Sequence, residues 1–135
     1  MAFKTCESWD TNVVLRLVLG DNPKQCYKIQ DLLMRRGVDY HVADLAITEA
    51  VYVMQSIYGL SREKIADGMR RLLWFPEIKY NRALFEKVFP MYLECSALSF
   101  NDCCLAVYAE LNEAEPLWTF DKALARQSGT AKLVG

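Results

Sequence analysis

The chain has 135 residues, a length at which one domain is the default, so a single domain over residues 1–135 is expected. Hydrophobic residues make up 53% and charged residues 24%, with no like-charge run and no repeat, which excludes a disordered or fibrous chain. The formal net charge of −1 excludes capture of a polyanion by bulk charge, so any grip on phosphates has to come from local cations.

In chain order, Phe3 to Trp9 reads as a first strand, although Lys4, Thr5, Glu7 and Ser8 make it less apolar than a central parallel strand. Asp10-Thr11-Asn12 is turn and helix-cap chemistry, and Val13 to Leu19 reads as a helix stopped by Gly20. Asn22-Pro23 opens a second helix over about residues 23–36, with Cys26, Ile29, Leu32 and Leu33 at helical spacing before Gly37. Val38 to Val42 alternates as a short strand, and Leu45, Ala46, Glu49, Val53 and Ile57 then keep a helical period up to Gly59. Ser61 caps a helix through Ile65, Met69, Leu72 and Leu73 that ends near Phe75-Pro76.

Glu77 to Tyr80 reads as another short strand, followed by a helix from Asn81 in which Pro90 is expected to make a kink or a stop before Met91 to Ala97. Ser99 or Asn101 caps a helix through Leu111. Leu117 to Phe120 suits a buried strand, Asp121 opens a short helix, and Ala131 to Val134 suits an edge strand. Helices alternating with short strands predict an α/β layer fold with a mainly parallel sheet.

Five scattered cysteines, Cys6, Cys26, Cys95, Cys103 and Cys104, show neither disulfide-scaffold nor metal-ligand spacing. With no charged leader ahead of an apolar core and no apolar run near the ~20 residues that span a bilayer, a reducing cytoplasm and no membrane are expected. The candidate local cations are Arg35, Arg36, Arg62, Lys64, Arg70, Arg71, Lys79 and Arg82, most of which also suit solvated helix faces. Tyr52, Tyr58, Trp74 and Phe75 could stack bases, but their helical spacing is read as core packing.

The chemistry-bearing pattern is a set of carboxylates. Open α/β sheets place ligand sites beyond the carboxyl ends of their strands, and Asp10 and Asp121 each follow a predicted strand, while Asp102 lies at a helix start. Glu49 sits among Ile47, Ala50, Val51 and Val53, where a carboxylate requires compensation. Two carboxylates about 4 Å apart repel by roughly 4 kcal/mol at an effective dielectric near 20, so a cluster holds protons or a cation. All-oxygen donors favour Mg²⁺ or Mn²⁺ over Zn²⁺. The single histidine, His41, lies in a strand and is read as structural, which leaves little support for a histidine-dependent triad. Asp10, Asp102 and Asp121 suit helix N-caps equally well, Glu49 could reach solvent on a helix rim, and Asp44 is read as a cap.

The segments Asp10-Thr11-Asn12-Val13-Val14-Leu15-Arg16, Thr48-Glu49-Ala50-Val51-Tyr52-Val53, Phe100-Asn101-Asp102 and Thr119-Phe120-Asp121-Lys122 together resemble the PIN-domain ribonucleases, especially the VapC-type toxins of toxin–antitoxin pairs. The resemblance spans nearly the whole chain. It implies a three-layer α/β/α PIN-like fold in which Asp10, Glu49, Asp102 and Asp121 serve as catalytic and metal-holding acids for Mg²⁺ or Mn²⁺, with Asn12 and Thr119 supporting the pocket. It further implies endonucleolytic cleavage of structured RNA such as tRNA or ribosomal RNA, a cognate antitoxin, and a homodimer. One departure stands out: the family's first strand is usually apolar up to the first Asp, whereas Cys6-Glu7-Ser8-Trp9 precedes Asp10 here. The competing expectations are a catalytically silent binding module of the same fold and a DNA-directed nuclease of related design.

Overall fold

The computed structural model describes residues 4–135, which divide into two compact units, the first ending at Asn81 and the second Arg82–Gly135. Phe3, the expected start of the first strand, lies outside the described residues.

The first unit runs β1 (Thr5–Trp9), α1 (Thr11–Leu19), α2 (Pro23–Leu33), β2 (Val38–Val42), α3 (Asp44–Ser56), α4 (Arg62–Leu73) and β3 (Ile78–Lys79). Its three strands pair in parallel in the order β1-β2-β3. The register joins Thr5 to Val38 and Trp9 to Val42, then Tyr40 to Ile78. Parallel neighbours require crossovers, and the helix pairs α1–α2 and α3–α4 supply them. On β2 the side chains alternate, with Val38, Tyr40 and Val42 buried, Asp39 half-buried and His41 exposed, as a two-residue period dictates.

The polar lead-in to Asp10 is explained by the position of β1. It is an edge strand of this sheet, its residues Thr5 to Ser8 are exposed, and only Trp9 is buried. Glu7 faces outward and accepts two hydrogen bonds from Arg35, at 2.9 and 3.2 Å, so its charge needs no burial. Trp9 stacks at 5.2 Å against Tyr40 of the central strand, which anchors the strand's last residue.

The core of this unit comes from the inner stripes of three helices: Val14 and Leu15 of α1, Ile47, Ala50, Val51 and Met54 of α3, and Ile65, Met69 and Leu72 of α4. Each such fully buried side chain contributes roughly 1.5–3 kcal/mol. Helix α1 ends at Gly20 in the left-handed region, φ 64°, where its N–H bonds the Arg16 carbonyl. Helix α2 stops at Leu33 rather than at about residue 36, because the chain leaves the helix through turns at Met34 and Arg35 to reach β2.

The second unit runs α5 (Arg82–Glu94), α6 (Phe100–Leu111), β4 (Leu117–Thr119), α7 (Lys122–Gln127) and β5 (Ala131–Leu133). Helices α5 and α6 pack through an aromatic cluster in which Phe100 meets Phe89 at 5.3 Å and the edge of Tyr92 at 5.1 Å. Pro90 does not stop α5, which runs on through it to Glu94. Pro90 and Glu86, whose carbonyl loses its i+4 donor, are both exposed, so the residue pair that lacks the helical bond lies on the solvent side of α5. Strands β4 and β5 pair in parallel. The expected buried strand Leu117–Phe120 is corrected: it ends at Thr119, Trp118 is exposed and Phe120 is 81% exposed. The class is therefore mixed α/β with parallel sheets, as the alternation of elements implied, and it accords with the PIN-like fold.

Candidate active site

Asp10 stands directly beyond the carboxyl end of β1, the edge where ligand sites form in parallel sheets. It is the N-cap of α1: its Oδ1 accepts the Val13 N–H at 3.0 Å. The next residue, Thr11, donates its hydroxyl to Oε2 of Glu49 at 3.1 Å. One hydrogen bond thus ties Thr11, the residue after Asp10, to Glu49 in the middle of α3. Asp10 and Glu49 are both exposed. Of the two expectations for Glu49, the exposed helix rim is the one observed and the apolar setting is corrected: Ala50 and Val51 are buried while Glu49 is exposed.

The other two acids belong to the second unit. Asp102 is not an N-cap but the third residue of α6, where it completes a capping box: Ser99 Oγ accepts the Asp102 N–H at 3.0 Å and Asp102 Oδ2 accepts the Ser99 N–H at 3.4 Å. Asp121 caps α7 by accepting the Leu124 N–H on Oδ1 at 3.0 Å, and Phe120 separates it from the end of β4. Thr119 Oγ1 accepts the Asp121 N–H at 2.9 Å, a direct support for that turn. Asp44 does not cap its helix by side chain; its carboxylate accepts from Asn81 at 3.1 Å.

Asp10 and Asn12 also line a cavity of about 480 Å³ with Val13 and Arg16 of α1 and Gln25, Lys28 and Ile29 of α2. The α2 residues were not singled out from sequence. Their spacing, positions 25, 28 and 29, puts them on one helical face, but which face turns toward Asp10 depends on how α2 docks. Arg16 forms part of the wall with its donors engaged: Nη1 bonds both Asp21 oxygens at 3.0 and 3.1 Å, and Nη2 bonds the Tyr58 hydroxyl at 3.1 Å. The Tyr58 hydrogen bond and the Asp21 charge raise its pKa further, against partial desolvation.

Several of the expected cations are already matched by neighbours: Arg35 by Glu7, Arg71 by Asp67 and Arg82 by Glu86. Such exposed pairs contribute little. The four aromatics read as core are at the surface instead: Tyr52 is 63% exposed and Trp74 81%, with Tyr58 and Phe75 each at 42%. The apolar stripes of α3 and α4 were already filled by aliphatic and Met side chains.

Within neither unit do the described residues gather three His, Cys, Asp or Glu side chains into a metal-holding group. The donor chemistry in the first unit nevertheless fits Mg²⁺, which is commonly held by one or two carboxylates together with waters and substrate phosphates. Capping leaves Oδ2 of Asp10 outside the cap bond, so the cap and a cation do not compete for one oxygen. A search of curated proteins finds no match. Residues 9–129 match the PIN domain family, a span that runs from the end of β1 across both units to just short of β5. The Asp10 turn, Glu49, Asp102 and Asp121 all fall within that span, and the chain belongs to the PIN domain family, whose fold is of the nuclease type.

Proposed function

We propose that the chain is a metal-dependent endoribonuclease acting as the toxin of a type II toxin–antitoxin pair in the cytoplasm. The reading is supported chiefly by the Thr11–Glu49 hydrogen bond, which ties Glu49 to the residue after Asp10 at the end of β1 within a PIN domain. Asp10 and Glu49 would hold Mg²⁺ or Mn²⁺ in the first unit, and Asp102 and Asp121 of the second unit are proposed as metal-holding acids on the family resemblance. When bound, the ion lowers the pKa of its water and polarises a phosphoryl oxygen. The protein's part is to fix the acids: the α1 cap sets Asp10, Thr11 orients Glu49, the Ser99 box sets Asp102 and Thr119 sets the Asp121 turn. Asn12 adds an exposed amide next to Asp10 for substrate contact. Structured RNA such as tRNA or rRNA is the proposed substrate, a cognate antitoxin the proposed inhibitor, and a homodimer the proposed assembly.

Asp10→Asn and Asp102→Asn are each expected to lower Mn²⁺-dependent cleavage of cellular RNA by ~10²-fold or more, read as the disappearance of fragments on a denaturing gel. Unchanged cleavage in both variants would overturn the assignment.

A second reading is supported by the caps. Asp10, Asp102 and Asp121 each satisfy helix N-terminal donors, so each has a structural reason to be an acid without any catalysis. Under that reading the chain is a silent RNA- or partner-binding module of the PIN fold.

A further inference from the structure

We infer that the cleft between α1 and α2 is a nucleotide subsite, in which Lys28 and Gln25 hold an RNA phosphate next to the one that is cut. The inference rests on the ribonuclease reading and adds the residues that position its substrate.

Three observations converge on this cleft. It contains Asp10, so whatever fills it lies beside the proposed reacting centre. Its volume, about 480 Å³, falls within the range of sites that enclose a small ligand, roughly 300–1,000 Å³. Its lining is divided by chemistry: Asn12, Gln25 and Lys28 offer amide and ammonium donors, while Val13 and Ile29 offer an aliphatic wall. That combination suits the phosphate and the ribose or base face of one nucleotide.

Charge selects Lys28 as the phosphate contact. Arg16 lines the same cleft, but Asp21 and Tyr58 take up its guanidinium. Among the described residues Lys28 is in no ion pair and no side-chain hydrogen bond, and its helix position is exposed. A phosphate approaching Asp10 meets a negative carboxylate, and an ammonium on the facing helix offsets that repulsion. Gln25, one turn before Lys28 on the same face of α2, adds a neutral donor. The net charge of −1 makes such a local cation the means by which a nearly neutral chain would hold RNA.

The test measures binding and turnover separately. Fluorescence anisotropy of a short single-stranded RNA of mixed sequence, measured without divalent metal so that the RNA stays intact, is followed for wild type, Lys28→Ala, Lys28→Arg, Gln25→Ala and the charge control Lys132→Ala. Lys28→Ala is expected to weaken binding about tenfold and to lower the slope of log Kd against log salt by about 0.7. Lys28→Arg keeps the charge and restores most of the affinity, Gln25→Ala weakens it less, and Lys132→Ala leaves it unchanged. In Mn²⁺-dependent cleavage Lys28→Ala is expected to raise KM with little change in kcat. If wild type cleaves RNA and Asp10→Asn does not, while Lys28→Ala matches wild type in both assays, the subsite is wrong and the ribonuclease reading stands. If wild type itself does not cleave but Lys28→Ala still loses affinity and salt slope, the ribonuclease reading fails while the RNA-binding cleft stands. Equal losses in Lys28→Ala and Lys132→Ala would overturn the subsite in favour of diffuse charge.

Discussion

At the scale of single residues, Asp10 carries two separable duties. As the cap of α1 it accepts the Val13 N–H, and as a proposed metal ligand it supplies negative charge. Asparagine caps as well as aspartate but carries no charge, whereas alanine does neither. Asp10→Asn is therefore expected to keep stability within a few tenths of a kcal/mol and Asp10→Ala to lose about 1 kcal/mol in urea unfolding. Both variants are expected to lose cleavage. An Asp10→Asn chain as unstable as Asp10→Ala would show that the carboxylate's charge, rather than its cap bond, stabilises the turn. The residue types themselves announced the acids, but not their surroundings: Glu49 reads as buried from its neighbours in sequence and is exposed in the fold.

At the scale of elements, the fit between α1 and α4 depends on one absent side chain. A Cβ placed on Gly68 of α4 would lie 2.8 Å from Val18 Cγ1, closer than carbon atoms tolerate. Val18 is β-branched and stiff at χ1, so it cannot swing away freely. Gly68→Ala gains about 1 kcal/mol of helix propensity but meets roughly 1–3 kcal/mol of overpacking, a net loss of about 1 kcal/mol. Thermal unfolding is expected to show a lowered Tm for Gly68→Ala and recovery in the double variant with Val18→Ala. No recovery would mean that the loss comes from elsewhere than this contact. Because α1 also carries Asp10 and one wall of the cleft, Gly68→Ala is expected to reduce RNA affinity as well. Element identities were largely legible, through caps such as Asn22 and Ser61 and through the spacing of apolar residues. The misread segment has a local cause, since Leu117–Phe120 is apolar yet carries Trp118 and Phe120 on the surface.

For the whole molecule, metal binding separates the catalytic reading from the silent one. A cation that binds only the folded chain raises its stability by about 2.7 kcal/mol at a hundred times its Kd. Adding Mn²⁺ is expected to raise the Tm of wild type and of Asp121→Asn less strongly, and to leave the double variant Asp10→Asn, Glu49→Gln unmoved. An unmoved wild type would favour the platform reading, in which the acids serve only the local hydrogen bonds they make at helix starts and to Thr11. The same titration with Mg²⁺ distinguishes a preference between the two ions.

Read by itself, the sequence determined the α/β class, the order of most elements and the identity of the acids as unusual residues at strand ends and helix starts. Those features are local: a cap needs only its own helix, and a period needs only its own stripe. The tertiary structure decided what Glu49 meets, since it reaches Thr11 across 38 positions of chain through the packing of α3 on α1. It also decided that Arg16 is consumed by Asp21 and Tyr58 and that Lys28 faces the cleft with its charge unspent. Such choices depend on how helices dock, and docking is set by the summed burial of many apolar side chains rather than by any motif.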